Sequence, residues 1–181
     1  MNIAFRNFYG IIDSGGNMNI KATQLCEILQ KYLIKFNIYE HEAVYTVEDV
    51  KNACLNIPGI PTKNLFLRDK KKNFYFVLVC QEDKRVDLKK LSNELELKNI
   101  CFASENELQE FLGLELGDVG PFGIVNDINH RVEVLIDSEL IDKKDINLSA
   151  NSLTSTIAID YSELIKFIEK NGNKFKVVNC N

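Results

Sequence analysis

The sequence predicts a single α/β domain of the α+β-like kind: a central mixed, mostly antiparallel sheet flanked by helices. Three observations carry this. Segments with helical apolar period and segments with strand character are interspersed, without strict strand–helix–strand alternation. Two apolar strand-like segments, 64–68 and 74–80, flank the polar run 69–73, the pattern of a hairpin. The 181 residues fit one domain, long enough to bury a core without a metal or disulfide staple.

Residues 1–17 read as an N-terminal extension ending near the Ser14-Gly15-Gly16 break, and 18–181 as the domain. Leu25, Ile28, Leu29, Tyr32 and Leu33 share one face of a helix over 22–35. A short strand follows at 37–40. Thr46 and Asp49 form a capping-box pattern opening a helix to about residue 55, with Val47, Val50, Ala53 and Cys54 inward. Pro58-Gly59-Ile60-Pro61 breaks the chain before the hairpin, where Phe66, Phe74, Tyr75 and Phe76 read as core residues. A helix is expected over 87–95. Ser104 with Glu107 caps another, which stops at Gly113. The loop 113–123 carries four glycines in a chain that has only nine. Strands at 123–126 and 131–137 are expected to pair around Asp127-Ile128-Asn129, and another strand covers 153–159. Asp160 with Glu163 opens a helix faced by Leu164, Phe167 and Ile168. Gly172 ends it, and a closing strand spans 175–178.

Composition excludes several classes. Apolar residues are 45% and charged residues 27%, as in soluble globular domains. No apolar run approaches the roughly 20 residues that span a bilayer. The N-terminus lacks the pattern of a secretion signal, and five scattered cysteines without a CxxC pair fit reduced thiols, so a cytoplasmic protein is expected. With His41 and His130 far apart and no Cys at ligand spacing, neither a zinc site nor another cofactor is expected. Net charge is −4, but unevenly placed. Ten basic and six acidic residues between Lys63 and Lys98 give that stretch +4 and leave −8 elsewhere. Either it forms solvated element faces, or it meets phosphates on an otherwise acidic protein.

No GxSxG, HExxH, Walker or GxGxxG motif is present. Chemistry has five candidate places. Lys63 and Asn64 stand at the mouth of a strand, where an ammonium can hold a phosphate or polarise an ester carbonyl. The loop Gly117 to Gly123, with Gly120, Pro121 and Phe122, can offer backbone N–H groups. His41 follows a strand, and His130 sits beside Asp127 and Asn129 in a turn. Last comes the hydroxyl run Ser149, Ser152, Thr154, Ser155 and Thr156. For each, a purely structural role competes with the functional one.

In order and spacing, Pro61-Thr62-Lys63-Asn64-Leu65-Phe66-Leu67-Arg68-Asp69, Arg85-Val86-Asp87-Leu88, Phe102-Ala103-Ser104 and Gly117-Asp118-Val119-Gly120-Pro121-Phe122-Gly123 with Asn126-Asp127 resemble the YbaK/ProX family of prolyl-tRNA editing domains. The match runs from about residue 37 to 178. Its forms are most similar to the free-standing branch that clears alanine from tRNA for proline.

The resemblance implies a trans-editing hydrolase, an aminoacyl-tRNA deacylase that needs no cofactor. Its partners would be mischarged tRNA(Pro), Ala-tRNA(Pro) above all, and prolyl-tRNA synthetase, with no membrane. It places Lys63, Asn64 and Gly120 in catalysis, and His41, Thr46, Gly117, Pro121, Phe122, Gly123 and Ser149 around the substrate. Proline would be excluded by pocket size. Where family members carry Phe-His-Pro followed by an asparagine, this chain has Leu148-Ser149-Ala150 and then Leu153. Two alternatives follow: editing of serine or cysteine, or a silent paralogue that binds tRNA or a synthetase.

Overall fold

The computed structural model describes residues 20–41 and 57–180. The extension 1–17 and the helix expected after Thr46, with Cys54, lie outside them. Helix α1, Ile20–Lys31, buries Ala22, Leu25, Cys26 and Leu29. It ends earlier than its apolar pattern predicts. Ile34 N–H reaches back to Leu29 C=O and Leu33 N–H to Gln30 C=O, with Leu33 at φ 55°. This is a Schellman-type stop, and it turns Leu33 out to solvent at 74% exposure instead of into the core.

Strand β1, Asn37–Glu40, is followed by β2, Ile60–Asp69, and β3, Tyr75–Gln81. The last two form the expected hairpin, in register from Thr62↔Gln81 to Arg68↔Tyr75. Asp69 closes its turn by accepting the N–H groups of Lys71, Asn73 and Phe74 at 3.0, 2.6 and 2.8 Å. An aspartate that satisfies three turn N–H groups explains why a polar run can fold sharply here. Phe66, Tyr75 and Phe76 are buried as expected, but Phe74 is half exposed because it belongs to the turn.

Helix α2, Leu88–Glu94, is capped by Asp87, whose carboxylate accepts Lys89 and Lys90 N–H. Strand β4, Ile100–Phe102, precedes α3, Glu105–Leu112, which has the full Ser104–Glu107 capping box and ends on left-handed Gly113. Residues Pro121–Asn126 form a 3₁₀ helix, not a strand. Pro121 starts it, Gly123 packs where a Cβ would lie 2.7 Å from Leu114 Cδ1, and Asn126 Nδ2 donates to Leu112 C=O. The expected hairpin with 131–137 is therefore absent. Strand β5, Val132–Asp137, instead lies parallel to both β3 and β8, Phe175–Val178. Strands β6, Ile146–Ser149, and β7, Ser155–Ile159, pair antiparallel, and α4, Tyr161–Asn171, follows to left-handed Gly172.

One mixed sheet of eight strands results, ordered β1-β7-β6-β2-β3-β5-β8, with β4 also on β2. Four of its seven pairings are antiparallel. Its two faces differ. Phe66, Val77, Val79, Leu148, Ile157 and Phe122 join α1, α3 and α4 in the larger core. Leu67, Phe76, Leu78 and Cys80 meet Leu91, Val178 and Cys180 under α2. Among the described residues, no helix is long and apolar enough to cross a membrane.

Glu107 ties the hairpin to α3. Its carboxylate meets Arg68 at 3.1 Å, Lys72 at 3.0 Å and the Tyr75 hydroxyl at 3.0 Å, and accepts Ser104 N–H at 2.8 Å. Burial opposes its ionisation. The Ser104 N–H, the Lys72 ammonium and the Ser104 and Tyr75 hydroxyls outweigh burial and bring its pKa from 4.5 to about 2. The depressed value means that Glu107 stabilises the fold above its unfolded pKa, and that this contribution disappears as pH falls from 4.5 towards 2. Glu107→Gln is expected to lose about 2 kcal/mol at pH 7. In urea unfolding the gap to the parent should close over that acid range, and an equal gap at pH 7 and pH 2 would refute the assignment.

Candidate active site

The site grows from a split in the sheet. One edge of β2 is covered by β3 across 62–68. Its other edge is shared: Ile60 and Pro61 run parallel to β6, whereas Leu67 to Asp69 pair with β4. The Ala103 N–H extends the second contact to Phe66 C=O. Residues 62–65 therefore have no strand partner on that edge among the described residues. A gap between two strands leaves backbone groups and both faces of one strand open to a ligand, the way crevices form in open sheets. Lys63 and Asn64 stand at this gap.

They leave it on opposite faces, because side chains alternate along a strand. Asn64 lies across from Val79 of the larger core, and its Oδ1 is buried with no hydrogen-bond partner among the described residues. Lys63 lies across from Cys80 of the smaller core. Its ammonium reaches the turn after β3, donating to Glu82 C=O at 2.9 Å and to Lys84 C=O. An ammonium has three N–H donors, so among the described residues one is left over.

The rest of the Lys63 face follows from register. Pro61 pairs with Asn147, Asn147 with Ala158, Ser149 with Thr156, and Thr156 with Tyr39. Lys63 and Ser149 each lie two residues beyond the Pro61–Asn147 pair, so they share its face. His41 joins them: its Nε2 lies 3.0 Å from Thr156 Oγ1, and its N–H donates to Thr154 C=O. This half of the sheet face is lined by Tyr39, Thr156, Ser149 and Asn147, where the other half carries Leu67, Phe76 and Leu78. Sequence reasoning missed Asn147, whose buried Oδ1 has no partner among the described residues and whose C=O accepts the Thr62 hydroxyl at 2.6 Å. Its one signal is its place two residues before Ser149, visible only once 146–149 is known to be a strand.

The glycine loop closes on the end of β6. Ser149 Oγ donates to Asp118 C=O at 3.2 Å, and a Cβ on Gly120 would lie 3.2 Å from Ser149 C=O. Gly120 is extended, so close approach, not φ, calls for glycine there. Gly117 is at φ 96°, beside Leu153. Burial pushes up the pKa of the Asp118 carboxyl, with Lys21 opposing and Glu115 adding, and its Oδ1 has no partner among the described residues. Phe122 is different: it is fully buried and meets Phe167 edge-on at 5.2 Å. Pro121, Phe122 and Gly123 thus anchor the loop to the core, while Gly117 to Gly120 face β6.

His41, Ser149 and Gly120 therefore gather at the β6–β7 end of the sheet, and Lys63 shares that face on β2. Asn64 flanks the gap from the opposite face, and Thr46 lies outside the described residues. His130 is remote from this gathering. It lies 3.1 Å from Asn173 Oδ1, against Gly172. Burial pushes the Cys80 thiol up to about 11, so the cysteine opposite Lys63 stays protonated and is a poor nucleophile. Among the described residues, no group of three or more His, Cys, Asp or Glu side chains could hold a metal ion.

The basic stretch divides in structure. Lys84, Arg68 and Lys72 are in ion pairs, while Lys70, Lys71, Arg85, Lys89, Lys90 and Lys98 are exposed.

The sequence profile of the aminoacyl-tRNA editing domain matches residues 41–167. A prolyl-tRNA editing protein ProX of Acetoanaerobium sticklandii is 35% identical over 150 residues, 83% of this chain and 92% of that one. A prolyl-tRNA synthetase associated domain-containing protein 1 of Danio rerio is 30% identical over 165 residues, 88% and 89% of the two chains. A solved structure described as a candidate trans-editing enzyme for prolyl-tRNA synthetase superposes with a TM-score of 0.70 over 90% of this chain and 98% of its own. At 17% identity that likeness concerns the fold.

Proposed function

The chain belongs to the aminoacyl-tRNA editing domain family, a family of deacylases, and on that premise we propose that it hydrolyses the ester of alanine wrongly attached to tRNA for proline. The observation that carries the reading is Lys63: a residue on the open stretch of β2 whose ammonium is held by two backbone carbonyls of the turn after β3, with one N–H left for a ligand among the described residues. The prolyl-tRNA editing name of the 35%-identical relative supports tRNA(Pro) as substrate. The synthetase-associated name of the Danio rerio relative supports prolyl-tRNA synthetase as partner.

An aminoacyl ester is already activated. Hydrolysis needs an oriented water and stabilisation of the developing oxyanion, not a protein nucleophile. Lys63 anchors the charged tRNA end at the gap and stabilises negative charge there. The backbone from Gly117 to Gly120 meets the aminoacyl group, with Ser149 holding the loop through Asp118 C=O. A hydroxyl of the terminal ribose assists the water. Selectivity is by size: a pocket bounded by Gly120 and Ser149 admits a methyl side chain and refuses the proline ring.

A panel of tRNA(Pro) charged with Ala, Ser, Cys or Pro tests this. Ala-tRNA(Pro) is expected to be cleaved at least about 100-fold faster than Pro-tRNA(Pro), the order of discrimination a pocket can reach by shape. Equal cleavage of both would overturn size exclusion. Preference for the serine ester would favour the second reading, in which the Ser149 hydroxyl sets the amino acid.

A further inference from the structure

Lys63 owes its position to a turn that looks unsuited to hold anything. Gln81-Glu82-Asp83-Lys84-Arg85 is polar, and a turn of that composition is ordinarily a mobile surface feature. Yet its Glu82 and Lys84 carbonyls are the two acceptors of the Lys63 ammonium. Two backbone bonds fasten it, Glu82 N–H to Pro61 C=O at 3.1 Å and Lys84 N–H to Gln81 C=O at 3.2 Å. The third fastening is electrostatic. Lys84 folds inward to 8% exposure, with Nζ 2.5 Å from Asp137 Oδ2 and 3.0 Å from Glu139 Oε1. Asp137, the last residue of β5, is fully buried, and Gln81 Nε2 reaches Glu139 Oε2 at 3.4 Å.

A buried ion pair is a poor source of net stability, because desolvation offsets most of its attraction. What it does well is specify one geometry. We propose that Lys84 and Asp137, assisted by Glu139, are positioning residues for the editing reaction: the buried pair draws the 82–84 turn onto β5 and so fixes where the Lys63 ammonium sits. The chain of contact is continuous: Asp137 holds Lys84, the backbone carbonyl of Lys84 holds Lys63, and Lys63 meets the substrate. This rests on the deacylase reading for its last link only. The earlier links concern where the Lys63 ammonium sits and can be read without substrate.

Asp137→Asn keeps the shape and removes the charge. Deacylation of Ala-tRNA(Pro) by folded protein, well below its melting temperature, is expected to show kcat lower by about 100-fold, the scale of a misplacement near 1 Å, with KM within about twofold. A merely structural pair would lower the melting temperature and leave kcat per folded molecule unchanged. The second readout is the ¹⁵N signal of the Lys63 ammonium, assigned by its loss in Lys63→Arg. It is expected to be sharp and protected in the parent, and broadened or lost in Asp137→Asn. Should Asp137→Asn not fold, the double variant Lys84→Met, Asp137→Leu leaves no unpaired buried charge and is expected to fold with the same loss of kcat and of signal. Full kcat or an unchanged Lys63 signal in either folded variant would overturn the proposal. A parent protein without deacylation, whose Lys63 signal still depends on Asp137, would overturn the proposed function and leave the positioning pair standing.

Discussion

Lys63→Ala is expected to lower kcat for Ala-tRNA(Pro) by about 10²–10³-fold while the protein remains folded. The size is that of removing one preorganised donor aimed at developing charge. The structural cost is smaller. Lys63 is only part-buried, as are its bonds to the Glu82 and Lys84 carbonyls, so the loss of stability is about 1–3 kcal/mol. Arginine does not substitute well, because a planar fork cannot sit between two carbonyls as a compact ammonium does. Single-turnover kinetics with circular dichroism on the same sample separate the effects. Undiminished turnover in a folded Lys63→Ala protein would remove this residue from the mechanism.

The second large effect lies four residues upstream. Gly59 is at φ 116°, and a Cβ there would stand 2.0 Å from the Asp145 carbonyl oxygen and 2.8 Å from Asp145 Cβ. The same oxygen accepts the Ile60 N–H at 2.9 Å. Two segments thus meet backbone to backbone just where β2 begins its parallel pairing with β6, Ile60↔Ile146. Gly59→Ala combines about 1–2 kcal/mol of left-handed strain with about 1–3 kcal/mol of overpacking. A net loss near 3 kcal/mol corresponds to a fall in melting temperature of roughly 6–12 °C for a domain of this size. The variant should also lose activity ahead of unfolding, because the β2–β6 start sets one wall of the gap. An unchanged melting temperature would show that the close contact relaxes freely.

Helices α2, α3 and α4 were legible because their signals are local. Ser104, Glu107 and Gly113 mark both ends of α3 by hydrogen bonds within a few residues, and Asp69 sets the hairpin turn in the same way. Strands β4 and β6 were not legible. They are three and four residues long, too short for a period to declare itself, and their partners on β2 are distant in sequence. The strand expected over 123–126 is the end of the 3₁₀ helix Pro121–Asn126 for a related reason, since burial of Gly123 against Leu112 and Leu114 decides it.

The candidate site divides along the same line. Residue type alone marks Lys63, the glycine loop and Ser149, because a cation, bare backbone N–H groups and a hydroxyl have chemistry wherever they stand. The motif order that resembles the editing family is likewise a property of the string. Where those groups point is not. Lys63 and Asn64 are neighbours in sequence, yet strand alternation sends them to opposite faces, and the gap that exposes both exists only because β6 and β4 divide one edge of β2. Asn147 becomes a neighbour of the site only through that pairing. Lys84 and Asp137 are 53 positions apart, and the parallel pairing of β3 with β5 brings their strands side by side. The sequence by itself determined both ends of α3, the hairpin and the kinds of group available for catalysis, since these depend on short-range geometry and intrinsic chemistry. The tertiary structure alone decided which groups share a face and which turn holds the Lys63 ammonium, since both depend on long-range register.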